Sequence, residues 1–395
     1  MPAAPSLPVP VLFVLTDLRV GGMERKVAEI VQKTDPGRVR PVVVCLKEPG
    51  ALAPEVEAAG VRLYSGLLKR KTDIAVLWRL RRIIKEEGIQ VVCTIGDGGD
   101  RMFWGRLAGK LSGVRGIVST LHSTRNPQGG SILDRPNRWL AGITDAFVAV
   151  AQGAARYLVE EEGFPRGKVV VIYNGVDLER YHGGGRLEAR AALGLPADAP
   201  VVCHVAAFRV EKAHDVLLRA AEIVVREVPE TRFLMVGDGP ERPRIEQLRQ
   251  EMGLDEAVWT LGRRSDIPEL LAAADLSVLC SYAMVETFPN SVLEAMASRR
   301  PVVCTDVGSI DEQVVEGANG YLIPEGDHEA LADRILRLVK DPARAVQMGK
   351  EARRTVEGRF SAERMVGDRE ELFLSLAKGA GIPSRLYWDS PPRIA

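Results

Sequence analysis

Two glutamates, Glu286 and Glu294, stand with seven residues between them in the stretch MVETFPNSVLEAMASRRPVV, around the point where a helix would start. Two acids in that position admit two chemistries. One is local: Ser291-Val-Leu-Glu294 has the spacing of a capping box, Asn290 and Ser291 are both good N-cap residues, and Pro289 stiffens the approach. The other is recognition. A carboxylate beside the N–H groups of a helix start suits a ligand with hydroxyls next to a phosphate, as in a nucleotide sugar. Capping accounts for Glu294 but leaves Glu286 without a role.

Other loops carry related chemistry. Gly21 and Gly22 follow the first apolar run; paired glycines let backbone N–H groups approach a phosphate, and a plain strand-to-helix turn explains them equally. His122 closes the run GIVSTLH, with Arg125 just behind, and a loop histidine serves structure as readily as catalysis. In AAFRVEKAHDVLL, Arg209 and Lys212 precede a helix whose dipole they oppose. A diphosphate would offset them, and Glu211 between them is the local alternative. MVGDGPER has G-x-G after a strand but lacks the third glycine of a dinucleotide fingerprint. Gly262 and Arg263 in TLGRRSDI offer backbone that could meet a flat base edge.

Positioning these residues requires strands that end beside them. Short β-branched runs recur at 11–16, 41–46, 61–65, 91–96, 116–122, 146–151 and 169–175, separated by amphipathic segments such as DIAVLWRLRRIIKEEG. RYHGGGR (180–186) interrupts the pattern, and a second series follows at 201–207, 232–237, 258–262, 276–281, 301–306 and 320–324, with helices from about 327. Runs apolar on both faces, alternating with helices, predict α/β architecture: two Rossmann-like doubly wound domains facing across a cleft, joined near 176–186. Ligands of such domains bind in loops beyond the carboxyl ends of the strands.

Composition narrows the function classes. With 53 basic and 53 acidic residues there is no bulk electrostatic case for nucleic acid, and 5% aromatics argues against a base-stacking surface. Cys45, Cys93, Cys203, Cys280 and Cys304 sit singly in apolar runs without C-x-x-C, which predicts buried thiols in a reducing compartment and neither a metal site nor disulfides. The first residues lack a basic signal region, and no run approaches the ~20 apolar residues of a membrane span, so a cytoplasmic protein is expected. Lys69, Arg70 and Lys71 follow the third run. DRMFWGRLAGKL mixes Arg101, Arg106 and Lys110 with Met102, Phe103 and Trp104. Together these two segments suggest contact with lipid phosphate at a membrane surface, or else a domain helix with solvated charges.

Taken in order, GGMER, LH at the fifth run, IYNGVD, FRVEKAHDVLL, VGDGPER, ETFPNSVLEAMASRRPVV and GANGYLIPEGD resemble the retaining glycosyltransferases of family 4, with the GT-B fold, over nearly the whole chain. The resemblance implies an N-terminal acceptor domain over 1–180, a nucleotide-sugar donor domain over 181–368, and a segment 369–395 crossing back to the first domain. It implies that Glu286 contacts sugar hydroxyls and Glu294 the ribose. The backbone across Phe288, Pro289, Asn290 and Ser291 would bind the distal phosphate, helped by Arg209, Lys212 and Gly22, with His122 near the donor sugar. The donor would be a UDP- or GDP-sugar, with no metal and no further cofactor. The acceptor would be a glycan, a lipid-linked or a small-molecule hydroxyl compound, reached by front-face transfer, with Lys69, Arg70, Lys71 and Arg125 on the acceptor side.

Two residues depart from the family pattern: Ala207 stands where many members carry Arg, and Thr287 replaces the usual Gly after the first glutamate. A nucleotide-sugar epimerase of the same fold and a catalytically silent nucleotide-sugar binding subunit are the rival readings. The first wants its own acid/base set on the sugar ring. The second is opposed by the joint presence of Glu286, Arg209, Lys212 and His122.

Overall fold

The computed structural model describes residues 7–70, 73–96, 100–122, 135–283 and 286–389, so Lys71 and Arg125 lie outside the described residues. All thirteen apolar runs form strands. In the first unit these are β1 (Val9–Leu15), β2 (Val39–Cys45), β3 (Arg62–Tyr64), β4 (Val91–Ile95), β5 (Gly116–Leu121), β6 (Ala146–Ala149) and β7 (Val169–Val171). They pair in parallel in the order β3-β2-β1-β4-β5-β6-β7. The second unit holds β8 (Val201–Val205), β9 (Arg232–Val236), β10 (Val258–Thr260), β11 (Leu276–Leu279), β12 (Val302–Thr305) and β13 (Gly320–Ile323), parallel in the order β10-β9-β8-β11-β12-β13.

Both sheets are therefore doubly wound. The central strands are buried along their length, as every residue of β1, β4 and β5 shows, because helices cover both faces. The strand order reverses between β1 and β4 and between β8 and β11. At such switch points adjacent loops diverge and leave room for a ligand. Gly21 and Gly22 follow β1, Arg209 and Lys212 follow β8, and Glu286 follows β11, so the sequence puts its candidate groups at the switch points.

The chain divides into residues 1–174 with 362–394, and 175–361. The division falls earlier than the 180/181 and 368/369 boundaries expected. The second difference has a clear cause: the helix Ala362–Ala377 is continuous and belongs wholly to the first unit, where Phe373 meets Phe13 of β1 edge-to-face at 5.8 Å. Arg115 also donates to Ala377 O at 2.8 Å. The irregular C-terminal stretch is anchored, with Tyr387 bridging Val170 and Arg166 lying 4.6 Å over Trp388.

The DRMFWGRLAGKL segment corrects one expectation. It forms the helix Asp100–Ser112, with Met102 and Arg106 buried and Trp104 packed against the core. Arg106 Nε donates to Met102 O at 2.8 Å, so this cation belongs to the interior and does not face a membrane. All five cysteines are buried and free, and burial pushes the Cys203 thiol up to about 12, as expected of small core residues. No described helix is long and apolar enough to cross a membrane.

Candidate active site

Glu286 is the most constrained of the predicted residues. It is 7% exposed, its Oε1 accepts from Ser281 Oγ at 2.8 Å, and the same oxygen takes the Lys212 ammonium. Lys212 and Glu286 come from loops after different strands, so the pairing is a product of the fold. A second layer fixes the Glu286 backbone. Gly308 has φ +65°, and a Cβ there would lie 2.2 Å from Glu286 O, so only glycine lets the two loops close to this distance. Ser309 N donates to Thr287 O at 2.9 Å, and Gln313 Nε2 donates to Pro289 O at 3.1 Å. Phe288 is buried edge-to-face on Phe360 at 5.3 Å. Thr287 is also buried, and its Oγ1 has no hydrogen-bond partner among the described residues.

The helix that follows runs Asn290–Ala297, with Pro289 at its N-cap position and no side-chain cap. This corrects the capping reading: Asn290 and Ser291 are the first two helical residues, so Ser291 and Glu294 share a helical turn and do not form the box. Proline has no N–H, so the backbone donors of this segment reduce to Phe288, Asn290 and Ser291. Glu294 is half-buried in the same helix.

The loop after β8 is built tightly. Phe208 and His214 flank residues 209–213, and their rings stack at 4.2 Å with 22° between planes. Between them runs a 3-10 turn, Val210–Lys212, followed by Ala213 in the left-handed region at φ 48°. Cys280 Sγ donates to Ala213 O at 3.3 Å, and Tyr282 N donates to Glu211 O at 2.9 Å. Lys212 is thus held toward Glu286, whereas Arg209 is exposed and its ion-pair contact among the described residues is with Glu211 at 3.7 Å. Beneath them lie two buried histidines. Burial pushes His204 down to about 4 and His214 to about 2, and the Lys212 charge adds to both effects. His204 Nδ1 donates to Val278 O at 2.9 Å.

The G-x-G of MVGDGPER serves packing. A Cβ at Gly237 would lie 1.9 Å from Ala206 O, and one at Gly239 would lie 2.3 Å from Phe208 O. These glycines let β9's loop press against the 206–208 backbone, where Phe208 N donates to Asp238 O at 3.1 Å. Gly262 has φ +66° and accepts from Gly237 N at 2.9 Å; Arg263 beside it is exposed. In the first unit, Gly21 is the extended N-cap of the helix Gly22–Lys33, and a side chain at Gly21 would meet Glu24 Oε2 at 2.4 Å. His122 directly follows β5 and is half-buried. Lys69 and Arg70 are exposed after β3. The sequence reading missed Ser281, Gly308, His204 and the Phe208–His214 stack. Among these only Gly308, in DVGSI, carried a local signal.

The profile described as Glycosyltransferase Family 4 matches residues 20–180, and that described as Glycosyl transferases group 1 matches 185–355. N-acetyl-alpha-D-glucosaminyl L-malate synthase of Bacillus anthracis is 32% identical over 277 residues, covering 69% of this chain and 71% of that protein. The chain belongs to glycosyltransferase family 4. Another family relative, the D-inositol 3-phosphate glycosyltransferase of Nocardia farcinica, is 37% identical over 217 residues, covering 53% of this chain and 48% of its own. Among solved structures, a glycosyltransferase from Rickettsia africae superposes with a TM-score of 0.80 at 21% identity, over 94% of this chain and 99% of that one. An Anabaena protein in complex with UDP-glucose gives 0.78 at 23%, over 93% and 99%. These likenesses establish the GT-B fold of two parallel α/β domains.

Proposed function

We propose that this glycosyltransferase moves a sugar from a UDP-sugar to an acceptor hydroxyl with retention of anomeric configuration and without a metal ion. The observation that carries the reading is the buried Glu286 carboxylate, held by Lys212 and Ser281 ahead of a helix without a side-chain cap. Glu286 accepts hydrogen bonds from hydroxyls of the transferred sugar, and Glu294 from the ribose. The N–H groups of Phe288, Asn290 and Ser291 bind the distal phosphate. Arg209, Lys212 and the helix dipole offset charge on the departing diphosphate, the task a metal would otherwise perform. Gly262 and Arg263 border the base. In the first unit, His122 acts on the donor sugar, and Gly21 and Gly22 serve the phosphate. The leaving phosphate itself takes the acceptor proton on the face from which it departs.

A UDP donor is supported by the fold neighbour crystallised with UDP-glucose, with a GDP-sugar as the alternative. Two relatives are named for L-malate and for inositol 3-phosphate, both hydroxyl-bearing anions, which favours a small anionic acceptor here over a neutral glycan. The test is release of UDP from UDP-glucose and UDP-N-acetylglucosamine with and without hydroxy acids and sugar phosphates. Acceptor-dependent release, with an α-linked product from the α-linked donor by NMR coupling constants, supports the proposal. A β-linked product removes retention, and release indifferent to any acceptor removes transfer.

A further inference from the structure

In the second unit, the helix Pro342–Arg359 holds the segment 288–297 at both ends. At the exit, Arg353 Nη1 donates to Ala297 O at 2.7 Å, a last-turn carbonyl without a partner inside its own helix. One turn earlier, Gly349 lets the backbones approach: a Cβ there would lie 2.1 Å from Arg299 O. At the entry, Phe360, the C-cap of the holding helix, meets the Phe288 ring edge-to-face. Gly349, Arg353 and Phe360 stand four and seven residues apart, so one helix face carries all three contacts. The Arg359 guanidinium lies 4.7 Å over the Phe360 ring. The same residues hold the two crossings of the chain between its units, which fall at 174–175 and 361–362. Val176 N donates to Phe360 O at 2.9 Å, and Val176 bridges Ser361 in parallel. Arg353 also reaches Tyr181 O at 2.6 Å and Leu178 O at 3.2 Å, three carbonyls on one planar fork that a lysine could not match.

We propose that Phe360 is a positioning residue for the donor's distal phosphate, aligning the Phe288 N–H and tying that contact to the chain crossings. The inference rests on the donor reading and deepens it by assigning the group behind the phosphate-binding backbone. Thr287 O shares a peptide plane with the Phe288 N–H, and Pro289 O shares one with the Asn290 N–H. Ser309 N and Gln313 Nε2 anchor those two oxygens. In a trans peptide the N–H points opposite to the C=O, so these bonds aim both N–H groups away from the 309–313 segment. A hydrogen bond at the oxygen still leaves each plane free to swing about it. The Phe288 ring, 4% exposed and packed on a Phe360 ring that is 1% exposed, removes that freedom at the first plane. An anion bound at the Phe288 N–H therefore steadies Phe360, and with it the Val176 bond at the first crossing.

The test is calorimetric titration of the full chain, wild type and Phe360→Leu, with UDP and with UMP, which lacks the distal phosphate. Phe360→Leu should weaken UDP at least about tenfold, the worth of one aligned hydrogen bond to a charged oxygen, and leave UMP within about twofold. Phe233→Leu, equally buried in the core of the same unit, is the stability control. It should lower the melting temperature and keep the wild-type ratio of UDP to UMP affinity. Equal weakening of both nucleotides by Phe360→Leu, or the same loss of UDP preference in Phe233→Leu, overturns the inference. Should Phe360→Leu fail to fold, amide exchange of the wild type decides: UDP should slow exchange at Val176 more than UMP does, and equal slowing overturns the inference. A wild type that binds UDP no tighter than UMP removes the donor reading and this inference with it. A wild-type preference for UDP that Phe360→Leu keeps removes the inference alone.

Discussion

At Glu286 the carboxylate has two donors and almost no water, so its charge is committed to Lys212 and Ser281. Glu286→Gln keeps the shape and the Ser281 contact but removes the charge. We expect kcat/KM to fall at least about 100-fold, roughly 2.7 kcal/mol of transition-state stabilisation. Stability should also drop by about 1–3 kcal/mol, because Lys212 is only 22% exposed and loses its counter-ion. Thermal melts beside steady-state rates separate the two effects; near-wild-type rates would remove Glu286 from the site. Ala213 poses a different question, since an L-residue at φ 48° costs about 1–2 kcal/mol. Glycine would relieve that strain but lose a buried methyl, about 0.8 kcal/mol, and gain unfolded-state entropy of similar size. Ala213→Gly should therefore be within about 1 kcal/mol of wild type by denaturant unfolding. Ala213→Val should lose at least about 2 kcal/mol, because a branched side chain does not fit the left-handed region.

The loop between Phe208 and His214 is the element on which the site depends, and it carries a pH signature. His204 and His214 are held neutral in the fold, with ordinary values near 6.5 lowered to about 4 and about 2. A lowered histidine value means the unfolded chain takes up protons first as pH falls. The stability these groups contribute is complete above about pH 6.5 and declines as pH drops toward 4. Melting temperature should fall over that window, and His204→Leu should flatten the slope; an unchanged slope would show that carboxylates dominate it. The stack of Phe208 on His214 that shapes this loop was invisible in the sequence. Arg209 and Lys212 stood out as paired cations, but the fold separates them, burying Lys212 against Glu286 and leaving Arg209 at the surface. The capping box failed for a similar reason: Pro289 takes the N-cap position and moves Asn290 and Ser291 into the helix. Strands, by contrast, were legible throughout, because runs such as PVVVC and QVVC are apolar on both faces and admit little but a buried parallel strand. Strand order was not legible, since it is set by which helices cover which face.

For the whole molecule, the helix Ala362–Ala377 ties the end of the chain to its beginning. It contributes Met365, Val366, Leu372, Phe373 and Leu376 to the core around β1. At about 1.5–3 kcal/mol for each buried side chain, their removal costs on the order of 10 kcal/mol, comparable with the stability of a domain. A chain ending at Ser361 should therefore lose the cooperative unfolding of its first unit and accumulate as insoluble protein; a soluble product with native circular dichroism would contradict this. The two-unit organisation was readable because α/β alternation restarts after the glycine run at 183–185. Of the two readings of Asp100–Ser112 the domain helix is the one observed, and only Arg106 departs from it, its buried guanidinium looking in sequence like a solvated charge. The central claim is that the second unit holds a nucleotide diphosphate between the 209–213 loop and the Asn290–Ala297 helix. It is tested most directly by thermal shift of wild type and Lys212→Gln with UDP, GDP and ADP. At a hundredfold excess over Kd, a ligand bound only to the native state adds about 2.7 kcal/mol. The account predicts a rise of several degrees with UDP that Lys212→Gln abolishes. No shift with any nucleotide, or a shift that Lys212→Gln leaves intact, would contradict it.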